Sequence, residues 1–195
     1  MNQMIEKQKE KLWNIPNFFS MLRILLVPLF LYAMIQNKVL QALTVFLLAS
    51  TTDILDGMAA RIWHQKTKIG ELLDPAADKL LMTTAVIILS IPSVSRPNAI
   101  PLWLAATIIG RDLVIVSAAF VIYKWRGHKE FPPSLMGKAS TVCQMGVILC
   151  VLFLNVMGKT APFLFWLYII TFAFTILSGL GYGSSGIRWL KDSYR

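Results

Sequence analysis

Residues 39–78 read VLQALTVFLLASTTDILDGMAARIWHQKTKIGELLDPAAD. The apolar run that begins at Val39 ends in two carboxylates, Asp53 and Asp56, and a second pair, Asp74 and Asp78, heads the apolar run that follows. Ionised carboxylates in so apolar a setting are costly unless paired or bound to a cation. The stretch therefore reads as two apolar helices sharing a polar site at one rim. Helical spacing places Asp53 and Asp56 (i, i+3) on one face and Asp74 and Asp78 (i, i+4) on another. Residues 61–73, read as a connector, can fold the two helices side by side so that the four carboxylates converge.

Outward from this stretch, apolar segments recur at 18–36, 39–60, 76–92, 99–123, 135–157 and 161–184. Most approach or exceed the roughly 20 residues of a bilayer crossing, so the expected fold is all-α, an integral membrane bundle of six transmembrane helices. Composition agrees: 56% of the 195 residues are hydrophobic and 15% charged, against roughly 45–50% and 25% in soluble domains. Disordered, collagenous and disulfide-scaffold classes are excluded, and six spans leave no room for a second soluble domain. Cys143 and Cys150, seven residues apart in one apolar stretch, cannot bridge along a helix.

The net charge of +9 follows membrane topology better than nucleic-acid binding, because no soluble basic face is available. Fifteen Lys and Arg residues gather at alternate ends of the spans, whereas Lys38, Arg96 and Lys159 hold the opposite side and Arg111 lies within the fourth span. Both termini are expected in the cytoplasm. Residues 1–13 read as an N-terminal amphipathic segment lying on the membrane surface, and Glu6 and Glu10 argue against a cleavable signal peptide. Residues 14–187 form the expected membrane domain and 188–195 a basic C-terminal tail.

The all-oxygen donor set of the four aspartates suits hard divalent cations, Mg²⁺ or Mn²⁺, which commonly leave positions for substrate phosphates. Between the pairs, Gly57 and Ala60 allow close approach to the backbone, and Arg61 offers a fork of donors to a phosphate. Together these residues describe a phosphate-handling site. A cation transporter using the same carboxylates is the competing reading, but transporters place ionisable residues near the midplane and here they stand at one rim.

The string Asp53-x2-Asp56-Gly57-x2-Ala60-Arg61-x8-Gly70-x3-Asp74-x3-Asp78 resembles, without gap or substitution, the signature of the CDP-alcohol phosphatidyltransferase family. Asn14-Ile15-Pro16-Asn17 with Ser20 and Arg23, Leu73-Asp74-Pro75-x-Ala77-Asp78-Lys79, Arg111-Asp112 and Gly137-Lys138 extend the resemblance over nearly the whole chain. The resemblance implies a membrane enzyme, usually a homodimer, that moves a phosphatidyl group from CDP-diacylglycerol to an alcohol and releases CMP. It also implies a bacterial inner membrane, with the active site facing the cytoplasm. Carried over, Asp53, Asp56 and Asp74 are ligands of two divalent cations, and Asp78 is the base for the acceptor hydroxyl and a ligand of the second cation. Asn17, Ser20, Gly57, Arg61, Thr67 and Gly70 fall at positions that contact the CDP-alcohol, while Asn17 and Ser20 read equally as a helix N-cap beside Pro16.

Arg111 lies more than three helical turns from Lys124, too deep for snorkelling, and adjacent Asp112 is expected to point to another face. Contact with an acceptor phosphate is preferred to a structural pair with another helix. Lys138 is either a second partner of that phosphate or a snorkelling residue. Gly137-Lys138-Ala139-Ser140-Thr141 has serine where many glycerol 3-phosphate-using members have a second lysine. Leu177-Ser178-Gly179, in turn, looks like those members. The expected acceptor is glycerol 3-phosphate, giving phosphatidylglycerophosphate, with phosphatidylglycerol, giving cardiolipin, as the alternative.

Overall fold

The computed structural model describes residues 15–63, 68–126 and 135–191, with side chains at 20–52, 76–117 and 135–181. Among them are six helices and no strand: α1 (Ile15–Ile35), α2 (Val39–Trp63), α3 (Lys68–Leu89), α4 (Leu102–Arg126), α5 (Leu135–Val156) and α6 (Phe163–Lys191). Residues 1–14 and 192–195, the expected surface segment and the end of the basic tail, lie outside the described residues. The 61–73 connector is mostly helix, since α2 runs to Trp63 and α3 starts at Lys68. Hydropathy marks only the apolar part of a helix, and Arg61, Lys68 and Glu71 are good helix formers that it passes over.

The all-α expectation agrees with these helices, but the six membrane spans do not. Among the described residues only two helices are long and apolar enough to cross a membrane, Leu135–Val156 of α5 and Phe163–Gly181 of α6. Within α1 and α2 the described residues include shorter apolar stretches, Ser20–Ile35 and Val39–Thr52. In α3, Glu71, Asp74, Asp78 and Lys79 fall within the helix, and α4 holds Arg111 and Asp112 near its middle. Large apolar side chains such as Leu113, Val116, Phe165, Trp166, Leu177 and Leu180 are exposed. Faces of this kind belong in lipid rather than water, as in a membrane protein.

The chain divides into two compact units, Met1–Thr84 and Ala85–Arg195. In the first, α1 packs on α2. Val27, Phe30 and Met34 share one face of α1 (i, i+3, i+7) and Ala42, Phe46 and Ala49 one face of α2 (i, i+4, i+7), all buried. The rings of Phe30 and Phe46 lie 5.9 Å apart, and the flanking alanines let the backbones approach. Asn37 closes α1 in the left-handed region (φ 55°). Lys38 N–H donates to Ala33 O at 2.9 Å and Asn37 N–H to Met34 O at 3.0 Å, the paired bonds of a Schellman cap.

In the second unit α6 packs on both α4 and α5. Its inward stripe, Leu164, Tyr168, Thr171, Thr175 and Ser178, steps alternately by four and three residues and is buried throughout, the 3.5-residue period of closely packed helices. Gly158 (φ 63°) ends α5 as Asn37 ends α1, with Lys159 N–H on Leu154 O at 3.0 Å and Gly158 N–H on Asn155 O at 3.2 Å.

A polar clasp holds the α3–α4 connector to α5. Asn155 Oδ1 accepts from Asn98 N–H (2.8 Å) and Asn98 Nδ2 (2.9 Å), while Asn155 Nδ2 donates to Ser95 Oγ (3.0 Å) and Asn98 O (2.9 Å). Asn98 Nδ2 also reaches Lys159 O at 2.8 Å. Both asparagines are buried, so truncating one strands buried polar groups of its partner. Asn155→Ala is expected to cost about 3 kcal/mol, read in detergent as a melting temperature lower by roughly 6–12 °C. An unshifted melting curve would show that the clasp contributes nothing net.

Candidate active site

Asp53 and Asp56 fall on α2 and Asp74 and Asp78 on α3, so each pair has the helical spacing that places its members on a common face. Asp78 is half-buried, one residue from buried Ala77. The side chains of Asp53, Asp56, Asp74, Asn17, Gly57, Arg61 and Gly70, and residue Thr67 altogether, lie outside the described residues. Among the described residues no group of three or more His, Cys, Asp or Glu comes together. The fit to a cation therefore rests on donor chemistry: four carboxylates on helical spacing make a hard, all-oxygen set suited to Mg²⁺ or Mn²⁺.

Ser20 and Arg23, one turn apart on α1, are both wholly buried. Arg23, which the sequence places both among the charges of one membrane end and in the Asn14-to-Arg23 part of the resemblance, is thus enclosed by protein. A cation is buried in this way only where the fold holds it, so Arg23 joins Ser20 among the residues of interest.

The candidate acceptor residues belong to the second unit. Arg111 is held across helices: its Nε and Nη2 donate to Ser178 Oγ of α6 at 3.2 and 2.7 Å. Its Nη1 donates to Asp112 Oδ1 at 2.7 Å. Neighbouring Cα–Cβ directions diverge on a helix, but the long arginine side chain reaches back to its neighbour. This pair, which sequence spacing disfavours, is therefore formed at side-chain exposures of 7% and 12%. Lys138, in the first turn of α5, is exposed.

Ser140, two residues further along α5, is wholly buried. Thr175 Oγ1 donates its single proton to Thr171 O at 2.7 Å, which leaves Ser140 Oγ as donor in the 3.2 Å contact with Thr175. Gln144 Nε2 donates to Ser140 Oγ at 3.1 Å and, more weakly, to Thr175 Oγ1 at 3.4 Å. The C-terminal part of the α6 stripe therefore carries hydroxyls that bind α4 through Ser178 and α5 through Thr175. Sequence reasoning quoted Ser178 only within Leu177-Ser178-Gly179 and did not name Thr175, and it placed neither beside Arg111 or Ser140. The available signal was three hydroxyl residues, Thr171, Thr175 and Ser178, spaced i, i+4, i+7 in an apolar helix.

Residues 13–177 match the family described as CDP-alcohol phosphatidyltransferase. The chain is similar to the cardiolipin synthase (CMP-forming) of Rattus norvegicus, 41% identical over 114 residues, which cover 58% of this chain and 36% of that protein. It is similar to the probable cardiolipin synthase (CMP-forming) of Drosophila melanogaster, 36% identical over 160 residues, covering 74% and 48%. The CDP-diacylglycerol–glycerol-3-phosphate 3-phosphatidyltransferase of Aquifex aeolicus is 33% identical over 143 residues, covering 73% and 78%. The chain thus spans about a third to a half of the length of the two cardiolipin synthases.

Proposed function

This chain belongs to the CDP-alcohol phosphatidyltransferase family, and from that membership we propose that it transfers a phosphatidyl group from CDP-diacylglycerol to an alcohol, releasing CMP. In this reaction the acceptor oxygen forms a bond to the phosphatidyl phosphorus, the bond from that phosphorus to the CMP oxygen breaks, and the acceptor hydroxyl gives up its proton. Asp78 takes that proton. Asp53, Asp56 and Asp74, with Asp78, would hold two divalent cations, Mg²⁺ or Mn²⁺, which when bound neutralise pyrophosphate charge. Asn17, Ser20, Gly57, Arg61, Thr67 and Gly70 bind the CDP-alcohol, with Arg61 matched to its phosphates. The enzyme works as a homodimer in a bacterial inner membrane, its donor site facing the cytoplasm, in keeping with the Lys and Arg distribution.

For the acceptor, the reading favoured is phosphatidylglycerol, with cardiolipin as product, in place of the glycerol 3-phosphate expected from sequence. The observation that carries it is Ser140, a buried neutral hydroxyl bound to Thr175 and Gln144 where glycerol 3-phosphate-using members commonly have a cation. A phosphate monoester carries nearly two negative charges at pH 7, whereas a phosphodiester carries one. Arg111, partly offset by Asp112, suits the single charge. The cardiolipin synthases among the relatives point the same way. The second reading, glycerol 3-phosphate, is supported by the Aquifex relative, of which the match covers 78%.

Purified protein given CDP-diacylglycerol with phosphatidylglycerol, and separately with glycerol 3-phosphate, is expected to make cardiolipin in the first reaction. It should make little phosphatidylglycerophosphate in the second. The opposite product pattern would assign the acceptor to glycerol 3-phosphate. Metal-dependent ion flux without CMP release in either reaction would sink the enzyme reading in favour of a transporter.

A further inference from the structure

Arg111 can orient a phosphate only if its guanidinium plane is held, because a long arginine side chain otherwise loses much rotamer freedom on binding. In this structure α6 holds it. One serine oxygen, Ser178 Oγ, accepts from both Nε and Nη2, at 3.2 and 2.7 Å, so a whole edge of the guanidinium is pinned. Asp112 Oδ1 takes Nη1 at 2.7 Å on the other side. Ser178 is wholly buried, in a helix where the buried threonines Thr171 and Thr175 instead donate to carbonyls one turn back. Beside Ser178, a Cβ on Gly179 would lie 3.8 Å from Arg111 Cγ, an ordinary contact, so the backbone of α6 also flanks the stem of Arg111.

We propose that Ser178 is a positioning residue of the acceptor site, setting the guanidinium plane of Arg111 so that it meets the acceptor phosphate in one orientation. The inference rests on the reading of Arg111 as an acceptor-phosphate residue and deepens it. It holds for either acceptor, since phosphatidylglycerol and glycerol 3-phosphate share the phosphate that Arg111 would meet. Through Ser178 and Thr175, three residues apart on α6, the same helix face also fixes α4 at Arg111 and α5 at Ser140. Acceptor selection in this chain thus depends on a helix that lies outside the aspartate signature.

The test compares Ser178→Ala, Ser178→Thr, Gly179→Ala and Arg111→Ala in vesicles containing CDP-diacylglycerol, with phosphatidylglycerol in one arm and glycerol 3-phosphate in the other. Ser178→Ala is expected to raise the KM for the active acceptor about tenfold, the worth of one hydrogen bond to a charged group, with the KM for CDP-diacylglycerol unchanged. Ser178→Thr keeps the hydroxyl and should restore most of the loss. Gly179→Ala, which adds a methyl group within ordinary contact and favours helix, should leave the acceptor KM within about twofold. If Arg111→Ala raises the acceptor KM but Ser178→Ala does not, positioning by Ser178 is wrong while the acceptor reading of Arg111 stands. If Arg111→Ala leaves the acceptor KM unchanged, that reading itself falls, and the inference with it. Equal effects of Ser178→Ala and Gly179→Ala, or equal effects on both substrates without rescue by threonine, would show general disturbance of α6 and overturn the proposal.

Discussion

Asp78→Asn is expected to abolish phosphatidyl transfer while CDP-diacylglycerol binding largely survives. An amide matches the carboxylate in shape but cannot accept the proton of the acceptor hydroxyl. General-base removal alone removes about a hundredfold to ten-thousandfold of rate, enough to bring turnover to the floor of a CMP-release assay. Three carboxylates remain in the donor set, so the nucleotide should still bind. Asp78 is half-buried on α3. Substantial turnover by the Asp78→Asn protein would remove Asp78 from the role of base.

Asp53→Asn and Asp74→Asn should behave differently, losing metal-dependent nucleotide binding itself. Each replaces an anionic oxygen of a hard donor set with a neutral amide, and even residues that only support a ligand contribute about 10–100-fold to metal affinity. Calorimetry with Mn²⁺ and CDP is expected to show binding weakened about a hundredfold or more in either variant. Removing the metal with a chelator should give the parent protein the same loss. Undiminished CDP and Mn²⁺ binding by both variants would overturn their assignment as ligands. The contrast with Asp78→Asn, which keeps binding and loses turnover, separates the two proposed roles within one motif.

What the sequence determined alone is whatever residues within a turn or two of each other decide. The six helices, the aspartate pairs on α2 and α3 and the turns at Asn37-Lys38 and Gly158-Lys159 all follow from local periodicity, spacing and a left-handed residue after a helix end. The family signature over residues 53–78 is of the same kind, every position lying on one short run of chain.

Tertiary structure decided the rest, because its partners are far apart in sequence. Within α4 the Arg111–Asp112 pair forms although the spacing of neighbours on a helix disfavours it. Arg111 meets Ser178 from 67 positions away, and Asn98 meets Asn155 from 57. Neither contact leaves a local period to read. Which hydroxyl faces which cation is set by the rotation and register of packed helices, and those follow from the buried stripe of α6 as a whole. The contacts of Arg111 with Ser178 and of Ser140 with Thr175 are therefore visible only once the helices are packed.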